Sequence, residues 1–209
     1  MELTNPAIND YLHNLTPPRH AVLAEMEQYA KENKFPIIGP LVGRFLHQLA
    51  LLTNATRIFE MGSGYGYSAV WFSFALKDGG TVDCTEMDKS NIERGKKYTA
   101  AAEVADHITW HQGDALESME KATGVYDIIL NDVDKEQYPR ALEIAWPKLR
   151  RGGIMVTDNV LWSGRIVEEN PPSESTAGIL EFNRQSYALP DSMCTVMPIR
   201  DGLMLAVKI

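Results

Sequence analysis

The chain has 209 residues, of which 44% are hydrophobic and 23% charged, with a formal net charge of −8 at pH 7. This length and composition fit one globular domain and exclude a largely disordered chain. The negative net charge argues against a broad surface that binds nucleic acid, although a local basic patch would not show in the net charge. No apolar run reaches the roughly 20 residues that span a bilayer. Cys84 and Cys194 stand among apolar residues, so we expect free thiols in a cytoplasmic protein.

The first third of the sequence is predicted to be helical. Residues 3–15, 19–34 and 39–52 carry apolar side chains at helical spacing. Pro17-Pro18 and Phe35-Pro36 separate these stretches, because proline interrupts a helix. We expect a single domain in which residues 1–53 form a helical N-terminal part and residues 54–209 form the α/β core.

After Asn54, short β-rich runs alternate with helical segments. The predicted strands are Arg57–Glu60, Thr81–Thr85, Ile108–His111, Tyr126–Asn131 and Ile154–Thr157. The predicted helices are 67–77, 89–103, 115–122, 135–150 and 175–187, the last preceded by a polar loop through Asn170-Pro171-Pro172. The final runs, Cys194–Ile199 and Leu203–Lys208, flank a tight turn and predict an antiparallel hairpin. This alternation predicts an α/β fold with a mostly parallel sheet and helices on both faces.

A glycine-rich segment, Gly62-Ser63-Gly64-Tyr65-Gly66, joins the first predicted strand to a helix. Glycines allow a sharp turn and a close approach to a ligand, although a plain tight turn is the alternative. Tyr67 stands where a dinucleotide fingerprint has its third glycine, which disfavours an NAD-dependent oxidoreductase. Glu60 could hold an ammonium group, whereas a carboxylate offers nothing to a pyrophosphate. The segment therefore indicates a cationic, phosphate-free ligand such as S-adenosylmethionine.

Acidic residues follow the next two predicted strands. Glu86 could accept hydrogen bonds from ribose hydroxyls, as in both NAD and S-adenosylmethionine sites, or be a solvated acid. Asp114 lies in Gln112-Gly113-Asp114-Ala115, where class I methyltransferases contact adenine. It could also cap the following helix, and both roles can hold together.

Two further polar segments, Asn131–Lys135 and Thr157–Asn159, lie at the carboxyl ends of adjacent predicted strands. Asp132, Asp158 and Asn159 could present three oxygens to one hard cation such as Mg²⁺, or could be helix caps and turn formers. Lys135 stands at a helix start, which is unfavourable for a cation and hints at a functional reason. Beside a metal ion its charged form would be disfavoured, so it could act as a base; a solvated surface lysine is the alternative.

These motifs resemble those of the cation-dependent catechol and caffeoyl-CoA O-methyltransferases, in their bacterial branch. The resemblance runs from Pro40–Leu46 to Arg200–Gly202 and is most specific in Glu60–Ser68, Asp132–Tyr138 and Asp158–Gly164. It implies the Rossmann-like, seven-stranded fold of class I methyltransferases and S-adenosylmethionine as methyl donor. It also implies a divalent cation (Mg²⁺, with Mn²⁺ or Ca²⁺ as alternatives), a catechol-like or hydroxycinnamoyl substrate, and a homodimer.

The resemblance also implies a role for each matching residue. Lys135 would be the general base, acting beside Asp132, and the cation ligands would be Asp132, Asp158 and Asn159. The S-adenosylmethionine site would be lined by Glu60, Gly62, Ser63, Gly64, Ser68, Glu86, Met87, Asp114, Ala115 and Asp132.

Three positions depart from the family pattern. Gly64 replaces an aromatic residue, which would leave one wall of the methionine pocket open. Asn131 replaces an apolar residue and could reach the metal shell or hydrogen-bond in the sheet. Ser163 replaces an asparagine, and the loop from Arg165 to Ser175 is short, so a CoA-ester substrate is less expected. The alternatives are a tRNA hydroxyuridine O-methyltransferase on the same fold and a non-catalytic module that binds an adenosine ligand.

Overall fold

The computed structural model describes residues 5–169 and 173–209. The N-terminal third forms three helices, α1 (Pro6–Leu15), α2 (Ala21–Asn33) and α3 (Gly39–Thr53), which confirms the predicted helices there. Residues 3 and 4, and the predicted polar loop at residues 170–172, lie outside the described residues. No helix in the part of the chain that the structure describes is long and apolar enough to cross a membrane.

Seven strands form one sheet. They are β1 (Arg57–Met61), β2 (Thr81–Glu86), β3 (Ile108–Gln112), β4 (Tyr126–Asn131), β5 (Leu149–Thr157), β6 (Ser192–Met197) and β7 (Leu203–Lys208). Their order is β3-β2-β1-β4-β5-β7-β6, with β1 to β5 parallel. The hairpin of β6 and β7 joins β5 through β7, which runs antiparallel. The predicted α/β fold with a mostly parallel seven-stranded sheet is confirmed.

Five more helices connect the strands. They are α4 (Tyr67–Ser73), α5 (Lys89–Ala101), α6 (Ala115–Lys121), α7 (Tyr138–Ala145) and α8 (Glu174–Ala188). The single helix predicted at 135–150 is wrong, because residues 135–137 and 146–148 are 3₁₀ turns on either side of a short α7. Pro139 lies in the first turn of α7, and Pro147 has no N–H with which to continue the helix. Strand β5 begins at Leu149 and not at the predicted Ile154. The sequence did not predict this earlier start, because the polar residues that follow Leu149 are partly exposed and lack a strand-like apolar pattern.

The sheet separates two hydrophobic clusters. On one face, side chains from β1, β2, β4 and β5 pack against helices that include α2, α3 and α4, as Ile58, Leu23 and Leu46 illustrate. On the other face, Phe59 and Met155 pack with residues of α6, α7 and α8. The helices α2 and α3 therefore share the core of the sheet. The predicted division into a helical part, residues 1–53, and an α/β core, residues 54–209, stays a prediction.

The strand order brings the candidate site together. Because β1 lies between β2 and β4, and β5 follows β4, their carboxyl ends form one edge of the sheet. In a doubly wound sheet, ligands bind at such an edge where the strand order reverses. Gly62, directly after β1, has φ +90°, and a Cβ there would lie 2.6 Å from the carbonyl oxygen of Asp132. A glycine at this position thus allows the β1 and β4 loops to touch.

Candidate active site

A cavity of about 560 Å³ opens at the carboxyl ends of β1, β2, β4 and β5, and a smaller one of about 40 Å³ lies beside it. Most of the predicted site residues line the larger cavity, namely Gly62, Glu86, Met87, Asp114, Ala115, Asp132, Lys135, Asp158 and Asn159. Ser63, Gly64 and Ser68 line the smaller one, together with Gly62 and Asp132. The structure therefore brings the predicted site residues together, with Glu60 as the exception.

Glu60 lies at the end of β1 and lines neither cavity, because its side chain is completely buried. Burial raises its pKa to about 7, and the nearby Ser68 and Ser63 hydroxyls and Cys84 thiol only partly offset this effect. The Cys84 Sγ lies 3.5 Å from Oε2 as a hydrogen-bond donor, whereas Oε1 has no hydrogen-bond partner among the described residues. An unpartnered buried carboxylate oxygen fits a site for a cationic group.

The loop after β1 is held by β2. The Gly62 N–H donates to the Thr85 hydroxyl (3.0 Å), and the Ser63 N–H donates to the Thr85 carbonyl (2.8 Å). The Phe35 ring covers Gly64, since an added Cβ would lie 3.0 Å from its Cε1. The pocket wall expected to be open at Gly64 is therefore occupied by an aromatic ring from another segment. Sequence reasoning missed Phe35 because it lies in the α2–α3 connection, far from the loop in the chain.

The loops after β2 and β3 form a second side of the larger cavity. The Gly113 N–H donates to the Glu86 carbonyl at 3.0 Å and ties the two loops together. The Asp114 Oδ1 accepts the Glu117 N–H at 2.9 Å, so the predicted helix cap is confirmed. Met87, directly after Glu86, lines the cavity and is 71% exposed. Asp114 still lines the cavity, which leaves room for both of its predicted roles.

Lys135 and Asp132 form an ion pair at the floor of the site. The Lys135 Nζ donates to Asp132 Oδ1 at 2.8 Å and lies 5.1 Å from the centre of the Tyr138 ring. Its side chain is only 14% exposed, so Lys135 is not a solvated surface lysine. Gly178 of α8 packs on the same turn, because a Cβ there would lie 2.5 Å from the Lys135 carbonyl oxygen. The packing of α8 therefore fixes where the lysine stands.

Asp158, at the end of β5, is buried and held on three sides. Its Oδ1 accepts the Asn159 N–H at 2.9 Å, and its carbonyl accepts the Tyr138 hydroxyl at 2.9 Å. Its Oδ2 lies 3.6 Å from Arg200 Nη1. Burial and the charge of Asp132 raise the pKa of Asp158 to about 6, although Arg200 opposes the shift.

Burial also raises the pKa of Asp132, against the attraction of Lys135. Asp132 therefore lies close enough to Asp158 to disfavour its charge, and each carboxylate pairs with one basic side chain. Asp132 keeps 29% of its side chain exposed, on the side of the cavity. Such a pair gains from a further positive charge.

The donor chemistry of Asp132, Asp158 and Asn159 fits a hard divalent cation. All three carry oxygen donors, they line one cavity, and two of them are carboxylates in unfavourable proximity. Within residues 5–169 and 173–209, no three His, Cys, Asp or Glu side chains group closely enough to hold a metal ion. A cation here would thus depend on the Asn159 amide and on oxygens from water or substrate to complete its shell.

The structure also shows the surroundings of the other two residues that depart from the family pattern, Asn131 and Ser163. Asn131 is fully buried, and neither polar atom of its side chain has a hydrogen-bond partner in the described part of the chain. It therefore makes no side-chain hydrogen bond within the sheet. Ser163 is exposed with φ +53°, and its N–H donates to Asp201 Oδ1. Sequence reasoning did not single out Trp162 and Arg200, which also line the cavity.

The O-methyltransferase family model matches residues 14–209. Caffeoyl-CoA O-methyltransferase 1 of Eucalyptus globulus is 30% identical over 180 residues, which cover 80% of this chain and 72% of that protein. Catechol O-methyltransferase of Niastella koreensis is 28% identical over 179 residues, 81% of each chain. The crystal structure of the O-methyltransferase from Bacillus cereus with S-adenosylhomocysteine superposes with a TM-score of 0.89, at 26% identity over 97% of each chain.

The fold and the site thus define a methyltransferase, and the chain belongs to the O-methyltransferase family. Its relatives include catechol and caffeoyl-CoA O-methyltransferases, one of them bacterial. The resemblance inferred from the motifs is confirmed.

Proposed function

We propose that this protein transfers the methyl group of S-adenosylmethionine to a hydroxyl of a catechol-like or hydroxycinnamoyl small molecule, with the help of a divalent cation. The observation that carries the proposal is the arrangement of Asp132, Lys135 and Asp158 in one cavity with the glycine loop. The names of the relatives support phenolic acceptors. We place the protein in the cytoplasm, as a homodimer.

The methyl donor would occupy the part of the cavity between the β1, β2 and β3 loops. Glu86 would accept hydrogen bonds from the ribose, and Asp114 and Ala115 would border the adenine. The methionine end would lie toward Ser63, Gly64 and Ser68, under the Phe35 ring. The Bacillus cereus relative with bound S-adenosylhomocysteine supports this choice of ligand.

In its neutral form, Lys135 would take the proton from the reacting hydroxyl, and Asp132 would hold the lysine in position. The oxygen then attacks the sulfonium methyl carbon in line, so that a C–O bond forms as the C–S bond breaks. The products are the methyl ether, S-adenosylhomocysteine and a proton on the lysine Nζ. Holding both reactants in one cavity supplies the orientation that this displacement needs.

Asp132, Asp158 and Asn159 would hold the cation. When bound, a divalent cation such as Mg²⁺ supplies Lewis acidity that favours the ionised form of the acceptor hydroxyls. Burial makes both carboxylates costly to ionise without it, which supports its place in the reaction.

A methyl-transfer screen with labelled S-adenosylmethionine tests the proposal. Purified protein is assayed on free catechols, caffeic acid, caffeoyl-CoA and tRNA, each with EDTA, with Mg²⁺, and with Mg²⁺ restored after EDTA. We expect methylation of small catechols that stops with EDTA and returns with Mg²⁺. We also expect caffeic acid to react at least as readily as caffeoyl-CoA. Full transfer in EDTA, or transfer to tRNA alone, would contradict the proposal.

A further inference from the structure

Arg200 is a second cation in the cavity, and the reaction outlined above leaves it without a role. Among the described residues that line the cavity, the basic side chains are Lys135 and Arg200. Lys135 is committed to Asp132 through a short hydrogen bond. Arg200, by contrast, only approaches Asp158 Oδ2 at 3.6 Å, and its guanidinium donates no hydrogen bond to any described residue. A planar group with five N–H donors is thus left largely unused beside the reaction centre.

The backbone at Arg200 adopts an unfavourable conformation. It lies in the turn between β6 and β7 with φ +50°, a conformation that side chains other than glycine rarely adopt. The Gly202 N–H closes the turn by donating to the Ile199 carbonyl at 2.9 Å. The aliphatic stem runs beside Gly39, where an added Cβ would be 3.7 Å from Arg200 Cδ. The remainder of the side chain borders the cavity, and 36% of it is exposed.

Binding of a divalent cation would change the surroundings of Arg200. Asp158 Oδ2 is the carboxylate oxygen that faces Arg200, and a cation held by Asp158 would compete with the guanidinium for its negative charge. The negative charge of Asp158 and Asp132, which attracts the guanidinium in the metal-free protein, would then be offset by the cation. An arginine in a partly desolvated cavity favours a planar oxyanion, which it can bind through two parallel hydrogen bonds.

We propose that Arg200 binds a carboxylate on the acceptor, and that the preferred substrate class is the free aromatic acids that carry vicinal hydroxyls. This inference rests on the proposed function and specifies its substrate. An acceptor carboxylate is ionised at neutral pH and supplies the charge that Arg200 lacks. A neutral catechol or an ester of the same acid leaves the guanidinium unpaired.

A matched pair of acceptors tests this assignment. The protein with Mg²⁺ is assayed on 3,4-dihydroxybenzoate and on its methyl ester, which differ in charge but little in shape. We expect Arg200→Gln to lower the acid-to-ester ratio of kcat/KM by about 10- to 100-fold, the size of a charge-assisted hydrogen-bonded pair. Differences in intrinsic phenol reactivity cancel when the ratio is compared between variants. The loss should fall mainly on KM for the acid, because both transition state and ground state carry the carboxylate.

Two further variants complete the design. Arg200→Lys keeps the charge but not the planar fork, so it should retain part of the acid preference. Arg165→Gln removes a nearby positive charge that lies over Trp162 and does not line the cavity, and it should leave the ratio unchanged. Binding of 3,4-dihydroxybenzoate to protein saturated with S-adenosylhomocysteine and Mg²⁺, measured by calorimetry, should weaken in parallel in Arg200→Gln.

The outcomes separate this inference from the function on which it rests. If the wild type methylates neither acceptor, the proposed function fails. If it methylates the ester as well as the acid, or if Arg200→Gln leaves the ratio unchanged, only the role of Arg200 is wrong. Should Arg200→Gln fail to fold, as a melting curve would show, the wild-type ratio and the Arg200→Lys ratio still decide.

Discussion

Lys135 donates a hydrogen bond to the Asp132 carboxylate, and the two side chains stand three residues apart on the loop that follows β4. The Lys135 side chain is largely buried, and Asp132 lines the cavity. In this pair the lysine, in its neutral form, is the group that can accept a proton, and the aspartate is the group that can hold the lysine or bind a cation. The pair is therefore the part of the site on which the proposed mechanism is most easily tested.

Replacing Lys135 by methionine should slow methyl transfer without abolishing ligand binding. Loss of a general base costs about 10²- to 10⁴-fold in rate. The deficit should shrink as the pH rises, because more of the acceptor is then already ionised. Single-turnover rates from pH 6 to pH 9, with S-adenosylhomocysteine binding measured separately, check both points. Lys121→Met is a matched control, since Lys121 is 76% exposed and pairs only with Glu117 in the described structure. A wild-type rate for Lys135→Met at neutral pH would exclude the base role.

Cation binding should depend on pH through Asp158. Its pKa lies near 6 because burial and Asp132 disfavour the ionised form, which is the form that binds a cation. Affinity for Mn²⁺ should therefore be constant well above pH 6 and fall by roughly tenfold per pH unit below it, as protons compete with the metal. Titrations followed by the electron paramagnetic resonance signal of free Mn²⁺ measure this affinity. Asp158→Asn should bind Mn²⁺ weakly, and a wild-type affinity in that variant would remove Asp158 from the ligand set.

Ligand-induced stabilisation should identify the cofactor. A ligand that binds only the folded chain raises its melting temperature by mass action. S-adenosylmethionine and S-adenosylhomocysteine should both do so, whereas NAD should not, because the loop at Gly62 to Tyr67 lacks the third glycine of a dinucleotide site. Differential scanning fluorimetry at saturating ligand gives the comparison. Equal stabilisation by NAD would argue for a different cofactor.

Glu60 should make the ligand-free protein less stable as the pH rises. Its folded pKa of about 7 lies above the ordinary glutamate value of 4.5, so the folded state holds the proton more tightly than the unfolded chain. This contribution to the free energy of unfolding is complete below pH 4.5 and is lost between pH 4.5 and about 7. Urea unfolding gives the difference in the free energy of unfolding between the wild type and Glu60→Gln. This difference should change by on the order of 3 kcal/mol from one end of the pH window to the other. A difference that does not change with pH would show that Glu60 titrates normally.

Much of the fold could be predicted because its signals are local. Proline positions separate α1 to α3, and the change to alternating strands and helices after Asn54 indicates a parallel sheet. The failures have local causes as well. The segment 135–150 reads as one helix by its apolar spacing, yet two prolines divide it. The polar start of β5 carries no strand signal, because Arg151 and Gly152 are exposed and the register with β4 is irregular between the Leu149 and Ile154 pairs.

By itself, the sequence determined the kind of residue at each strand end, and parallel topology then required those ends to share one edge. Only the tertiary structure decided which groups meet there. It placed Phe35 over Gly64, Gly178 against the turn of Lys135, and Arg200 beside Asp158. Each of these contacts joins residues about thirty or more positions apart. Local pattern cannot predict such contacts, because they depend on how helices and hairpins pack across the finished sheet.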